Sequence, residues 1–162
     1  MKKLNPAHLD AVRHLLQKAP FVEMVGLEAV ELDYSHCRLE LSVKPCHTNP
    51  FGGLHGGVYS TAIDTAAYWA CYCNLPENTG FVSADLNVSN LATVREGRII
   101  VIGRAIKIGR SLCLAEARVT DETGRLLAHG TSKMLVTEGL QFLDQAVANL
   151  GLPPMPPKFL ED

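Results

Sequence analysis

The 162-residue sequence predicts an α+β fold in which an antiparallel sheet wraps one long central helix. The first observation is a run from Val58 to about Cys73 that lacks Pro and Gly and is almost wholly apolar, as expected of a buried helix. The second is a series of segments rich in β-branched residues, which follow one another with turn residues between them. Strands in hairpin succession around a single buried helix form an α+β pattern.

Local patterns predict the other elements. An amphipathic helix is expected from about Pro6 to Lys18, because apolar residues recur on one side of it, and a break follows at Pro20-Phe21. Val25 to Val43 has the pattern of two strands joined around residues 33–36. Later strands are predicted near Phe81–Leu91, Arg98–Ile108, Leu112–Thr120 and Arg125–Val136.

The length is that of one domain, which we place at residues 1–138, followed by a C-terminal tail at residues 139–162. Gln141 to Leu150 has the pattern of a short helix, and the Pro-rich run at residues 151–157 cannot continue it. The sequence leaves two alternatives for this tail: it packs against a neighbouring subunit, or it stays mobile.

Composition argues against several kinds of partner. The net charge is −2 with both signs dispersed, so no basic surface is expected for nucleic acid or for a membrane. No apolar segment has the length of a signal peptide core or of a membrane span, which predicts a cytoplasmic protein.

The cysteines and histidines do not predict a metal site. The five cysteines are odd in number and lie among apolar neighbours, as expected of reduced thiols in a core. Cys71-Tyr72-Cys73 is spaced too closely for the usual zinc pair, and the six histidines show no paired-ligand pattern.

Asp64 is the most informative single residue, because it stands in the middle of the apolar helix. An ionised carboxylate is costly to remove from water unless partners or a ligand meet it, and the helix offers few polar neighbours. The sequence therefore predicts a functional site at Asp64.

The segment before this helix, residues 49–57, is rich in glycine and lets the backbone approach a ligand closely. The first free N–H groups of the helix are expected near Gly56 and Gly57. Such groups stabilise an oxyanion, by roughly 2.7–4 kcal/mol per well-placed donor. Asp64 lies about 12 Å down the axis from Gly56, so one helix cannot bring both groups to one carbonyl. Two antiparallel helices related by a two-fold axis solve this problem, which predicts at least a dimer.

Asn49, the glycine spacing, His55-Gly56-Gly57 and Asp64 together resemble the signature of hotdog-fold acyl-CoA thioesterases. The likeness is greatest to the phenylacetate-pathway branch of the 4-hydroxybenzoyl-CoA thioesterase superfamily. It continues through residues 82–87, 107–111 and 121–126. The resemblance implies a hotdog fold, an acyl-CoA substrate, a homodimer or homotetramer, and no cofactor, since coenzyme A is part of the substrate.

The resemblance also implies roles for individual residues. Asp64 acts as general base or nucleophile, the Gly56 N–H binds the oxyanion, and Ser83 helps to position water. Asn49 lies near the thioester or the attacking water, and His55 fixes the loop and the helix start. Residues of the coenzyme A site are implied to be Gly57, Asn90, Lys107, Gly109, Arg110 and Ser111.

Other interpretations compete with these roles. Ser83 alternates with Asp85 and Asn87 in the expected strand, so it could simply belong to a solvated face. His55 could be only a turn residue, and Arg110 only a turn charge. At the level of function, the alternatives are a hotdog dehydratase acting on hydroxyacyl thioesters and a catalytically silent acyl-CoA-binding protein.

The acyl pocket is expected at the helix pair, with an aryl or medium-chain group as the preferred substrate. Its expected lining residues are Tyr59, Tyr68, Trp69 and Phe81.

Overall fold

A computed structural model describes residues 2–77 and 79–160. The helices are α1 (Pro6–Lys18), α2 (Pro20–Val25), α3 (Gly56–Tyr72) and α4 (Leu143–Leu150), with one 3-10 turn at Pro45–His47. The strands are β1 (Glu28–Asp33), β2 (His36–Ser42), β3 (Gly80–Asn90), β4 (Arg98–Ile108), β5 (Leu112–Asp121) and β6 (Leu126–Thr137). No helix among these residues is long and apolar enough to cross a membrane.

The six strands form one antiparallel sheet in the order β1-β2-β4-β5-β6-β3. The predicted central helix, N-terminal helix and strands are confirmed, with ends that shift by at most three residues. α2 was not predicted, because the sequence suggested only a break there. It begins at Pro20, which suits a first helical position, and ends at Val25, where Gly26 follows in a left-handed conformation.

α3 lies close against the sheet because small residues line its path. Gly103, Ala117 and Gly130 stand side by side on β4, β5 and β6. A Cβ on Gly103 would lie 2.2 Å from the carbonyl oxygen of Ala66, and one on Gly130 would lie 2.9 Å from Cγ2 of Ile63. Larger side chains in this row would push the helix away from the sheet.

The C-terminal tail orders against its own chain. Leu4 and Phe159 form a β-bridge, and the N–H of Asn5 donates to the carbonyl of Lys158 at 2.9 Å. The predicted boundary at residue 138 lies one residue beyond β6, and the division into domain and tail stays a prediction.

Lys158 is fully buried at the C-terminal end of α3. Its Nζ donates to the carbonyls of Tyr72 at 2.5 Å and Leu75 at 2.8 Å, and it lies 3.8 Å from the centre of the Tyr72 ring. Burial lowers the pKa of Lys158 to about 8. Nε2 of His8 lies 2.6 Å from the Tyr72 hydroxyl, and burial lowers the pKa of His8 as well. The tail therefore supplies hydrogen-bond donors for the end of the central helix.

Candidate active site

Asp64 lies on α3 beside the first half of β3, where the Ser83 hydroxyl donates to its Oδ1 at 2.9 Å. Its Oδ2 accepts no hydrogen bond from the residues that the structure describes. The expectation of a buried carboxylate is corrected, because Asp64 is only partly buried in the single chain. One oxygen is thus held in place while the other is open to a ligand.

Ser83 reaches Asp64 because β3 contains a bulge. Ser83 pairs with Met134 and Asp85 pairs with Lys133, so Ala84 is the extra residue. The bulge places Ser83 on the helix side of the sheet and Asp85 on the outer side. The expectation that Ser83 shares a face with Asp85 and Asn87 was therefore wrong, since strict alternation does not hold across a bulge.

The start of α3 is capped by His55. Its Nδ1 accepts from the N–H of Gly57 at 2.9 Å, so the imidazole is the N-cap of α3. The expectation that both glycine N–H groups are free was wrong for Gly57, because the imidazole occupies that donor. The N–H of Gly56 has no partner among the described residues. Gly56 is consequently the one glycine of this pair with a donor available to an oxyanion.

Asn49 organises the loop that leads to α3. Its Oδ1 accepts from the N–H groups of Phe51 at 2.9 Å and Gly53 at 3.2 Å. The N–H of His55 donates to the carbonyl of His47 at 2.9 Å, which closes the same loop. Asn49 therefore has a structural role in the single chain, whatever it contacts in a complex.

Asn90 lies against the start of α3, a contact that the sequence did not predict. A Cβ on Gly56 would lie 2.7 Å from Nδ2 of Asn90. In the same way, a Cβ on Gly53 would lie 2.5 Å from Oγ1 of Thr93. No local signal could have revealed these contacts, because they arise from the approach of distant segments.

The predicted coenzyme A turn between β4 and β5 lies at the Ser83 end of the sheet. Four residues stand side by side on neighbouring strands: Ile108 on β4, Cys113 on β5, Met134 on β6 and Ser83 on β3. Ile108 and Ser83 are three strand spacings apart, about 14 Å. The turn at residues 109–111 and the Asp64–Ser83 pair therefore share one end of the sheet.

The side chains of this turn face solvent. Lys107, Arg110 and Ser111 are exposed, and the N–H of Val136 donates to the carbonyl of Ser111 at 3.0 Å. A Cβ on Gly109 would lie 2.6 Å from the Leu112 carbonyl oxygen, so the tight turn requires glycine there. Two exposed cationic side chains beside a tight turn are available to an anionic group.

Within one chain, the predicted residues form two separate groups. Asn49, His55, Gly56 and Asn90 gather at the start of α3, whereas Asp64 and Ser83 meet further along it. The structure thus brings together the members of each group but does not bring the two groups together. No cluster of three His, Cys, Asp or Glu side chains in the described part of the chain is suited to hold a metal ion.

The sequence model of the thioesterase superfamily matches residues 51–128, which include α3 and most of the residues above. The 1,4-dihydroxy-2-naphthoyl-CoA hydrolase of Listeria monocytogenes is 30% identical over 105 residues, which are 65% of this chain and 85% of that protein. The chain belongs to the thioesterase superfamily. Membership confirms the predicted enzyme class, a thioester hydrolase, whereas the phenylacetate-pathway branch stays a prediction.

Other members of the superfamily show the same likeness. Acyl-coenzyme A thioesterase 13 of Mus musculus is 36% identical over 93 residues, which are 56% of this chain and 66% of that protein. A solved thioesterase structure from Haemophilus influenzae superimposes with a TM-score of 0.77 at 24% identity, covering 87% of this chain and 98% of that one. This structural likeness confirms the predicted hotdog fold.

Proposed function

We propose that this member of the thioesterase superfamily hydrolyses an acyl-CoA thioester to the free acid and coenzyme A, with Asp64 as general base or nucleophile. The observation that carries the proposal is a partly exposed carboxylate on an otherwise apolar helix, held at one oxygen by Ser83 and open at the other. The relatives named as acyl-CoA thioesterase and acyl-CoA hydrolase support this choice of substrate.

Two routes use the same carboxylate. As general base, Asp64 takes a proton from water while the water oxygen attacks the thioester carbon; the C–S bond then breaks and the proton passes to the leaving thiolate. As nucleophile, Asp64 forms a mixed anhydride and expels the thiolate, and water then hydrolyses the anhydride. Both routes build negative charge on the carbonyl oxygen and need an oxyanion donor.

The proposed oxyanion donor is the N–H of Gly56 on a second copy of the chain. Gly56 and Asp64 of one helix are about 12 Å apart along the axis, too far to act on one carbonyl. A two-fold dimer with antiparallel α3 helices joins the helix start of one protomer to Asp64 of its partner. The dimer is thus the smallest active unit in this proposal, and a homotetramer is its natural extension.

Coenzyme A is proposed to lie along the turn between β4 and β5. Lys107 and Arg110 are exposed cations for its phosphates, Ser111 offers a hydroxyl, and Gly109 permits the tight turn. Gly57 and Asn90 are the residues proposed to contact coenzyme A at the start of α3. All five cysteines are free thiols, which fits the proposed cytoplasmic location.

Thiol release from a panel of acyl-CoA esters by the wild type and by Asp64→Asn tests the proposal. We expect Asp64→Asn to abolish hydrolysis while acyl-CoA affinity stays within a few-fold. Asp10→Asn is the matched control, because Asp10 is an exposed carboxylate on α1. Full activity of Asp64→Asn would refute the assigned role. Tight binding without turnover by the wild type would favour the silent acyl-CoA-binding protein instead.

A further inference from the structure

The side of α3 that follows Asp64 lines a cavity of about 320 Å³. Of the residues expected to line an acyl pocket, Tyr68 and Trp69 line this cavity, whereas Tyr59 and Phe81 do not. The cavity lies between α1, α3 and α4, and we refer to it as the α4 cavity. Leu15, Tyr68, Trp69, Leu143 and Ala146 supply apolar parts of its wall. Its volume is at the lower end of the range of about 300–1,000 Å³ for small-molecule pockets, which are mostly apolar.

Tyr68 connects the α4 cavity to the catalytic carboxylate. It lies one helical turn beyond Asp64, about 6 Å along the axis and on the same side of α3. Its ring stacks on Phe81 with a centroid distance of 3.9 Å, and its hydroxyl donates to the Phe81 carbonyl at 3.1 Å. Phe81 stands two residues before Ser83 on β3. Tyr68 therefore lines the cavity, lies one helical turn from Asp64 and packs on the strand that carries Ser83.

The lining of the α4 cavity is uncharged. Its polar side chains are the amides Gln141, Gln145 and Asn149. A second cavity of about 640 Å³ shares Phe142, Leu143 and Gln145 with the α4 cavity. Its wall also contains the charged or titratable side chains of His8, Glu77 and Asp144. An apolar group that enters the larger cavity would desolvate two carboxylates, a cost that the α4 cavity does not impose.

The position of α4 is fixed by the connection from β6. The Thr137 hydroxyl donates to the carbonyl of Leu140 at 2.7 Å. A Cβ on Gly80 would lie 2.0 Å from the same carbonyl oxygen, so this connection can pass the start of β3 only at a glycine. The helix that follows is thereby directed across Tyr68 and Trp69 rather than away from the domain.

We propose that the α4 cavity receives the acyl group of the thioester, and that α4 selects uncharged aromatic or medium-length acyl groups. The inference rests on the proposed function and assigns the specificity of that same site to the C-terminal tail. α4 lies outside residues 51–128, the part of the chain that the superfamily model matches. Acyl selectivity is then a property of this chain's tail rather than of the shared fold.

Filling the cavity from α4 is the first test. Ala146→Leu adds a side chain inside the cavity, whereas Ala148→Leu adds the same side chain to an exposed position on the same helix. We expect Ala146→Leu to lower kcat/KM for octanoyl-CoA and phenylacetyl-CoA by about tenfold while acetyl-CoA changes less than about twofold. Ala148→Leu should keep the wild-type profile. Identical profiles for the two folded variants would overturn the inference.

Enlarging the cavity should change the acyl-group preference in the opposite direction. Leu143→Ala should move the preference toward longer acyl groups than the wild type accepts, and succinyl-CoA should stay a poor substrate relative to butyryl-CoA. This variant keeps the inference testable even if Ala146→Leu fails to fold. An unchanged chain-length profile for Leu143→Ala, or succinyl-CoA as a good substrate, would count against the inference.

Trp69 is the only tryptophan of the chain and lines the cavity, so its emission reports on occupancy. A non-hydrolysable thioether analogue of octanoyl-CoA should change this emission in the wild type and in Ala148→Leu, but not in Ala146→Leu. Coenzyme A alone should leave the emission unchanged.

If the wild type releases no thiol from any ester, the proposed function fails by that assay, and the Trp69 titration still decides whether the cavity holds the acyl group. An unchanged emission with the analogue bound, as shown by calorimetry, would overturn the inference.

Discussion

The two ends of α3 are built in opposite ways. At its N-terminal end, His55 caps the N–H of Gly57, while the N–H of Gly56 has no partner among the described residues. At its C-terminal end, the fully buried Lys158 donates to the carbonyls of Tyr72 and Leu75. One end keeps a polar group available, whereas at the other end the carbonyls accept from Asn74 and Leu75 of the following turn, and the tail adds a buried donor to Tyr72 and Leu75.

We therefore expect the N-terminal end of α3 to matter for activity and the C-terminal end to matter for stability. An unpaired N–H with a positive helix end behind it favours negative charge, which suits a site for an oxyanion. Buried carbonyls without donors would cost free energy of folding, so the tail that reaches them stabilises the native state. Changes at the two ends should therefore affect different observables, and the following experiments test that separation.

The largest effect is expected at the open end. Gly56→Ala places a Cβ 2.7 Å from Nδ2 of Asn90 and displaces the proposed oxyanion donor. We expect kcat to fall by about 10²–10³ with little change in stability, as for other losses of one oxyanion donor. Gly139→Ala is the control, because a Cβ there meets no atom within 4 Å.

Mixing two inactive variants extends this test to the dimer. A mixed dimer of Gly56→Ala and Asp64→Asn protomers contains one site with both wild-type groups if the site is shared across the interface. Recovery of activity on mixing would support a shared site. Absence of recovery in demonstrated mixed dimers, or unchanged kcat for Gly56→Ala alone, would contradict the assignment.

At the closed end, Lys158→Ala should affect stability instead. The substitution leaves the carbonyls of Tyr72 and Leu75 without their buried donor and opens space beside the Tyr72 ring. We expect the free energy of unfolding to fall by about 2–4 kcal/mol in denaturant titrations. Lys3→Ala, at an exposed position, is the control. A variant that unfolds at the wild-type midpoint would show that the tail does not stabilise this end.

The same lysine makes stability depend on pH. Its pKa is about 8 in the folded chain and 10.5 in an ordinary environment, so between these values the unfolded chain binds a proton that the folded chain has released. Stability from this group therefore rises as the pH increases from 8 to 10.5, by about 1–3 kcal/mol. The Lys158 charge also interacts electrostatically with His8, Glu77 and Cys73. Unfolding of the wild type and Lys158→Met should diverge over this interval, and parallel curves would refute the prediction.

The smallest effect is expected from the residue that orients the carboxylate. Ser83→Ala removes the hydrogen bond to Oδ1 of Asp64 but leaves the charge in place. As a positioning residue, Ser83 should affect kcat by about tenfold and leave KM unchanged. Ser89→Ala, on the outer face of the same strand, should have no effect. A change confined to KM would mean that Ser83 acts on substrate binding instead.

Much of the fold could be predicted because it rests on local patterns. The apolar run gave α3, and β-branched segments between turn residues gave strands that match to within a few residues. The face of Ser83 could not be predicted, since one extra residue in β3 reverses the alternation. The place of His55 at the helix start was expected from the resemblance, but its bond to the Gly57 N–H was not, because a capping imidazole depends on the side-chain rotamer.

The sequence by itself determined the central helix with Asp64 and the glycines that precede it, and it is the source of the prediction that two copies unite Gly56 with Asp64. These features follow from residue type and helical rise, which are local properties. Only the tertiary structure decided that Asn90 lies against Gly56, that Lys158 donates to the end of α3, and that α4 closes a cavity beside Tyr68. Such contacts join residues far apart in the chain, and their geometry depends on how the sheet and the tail pack around the helix.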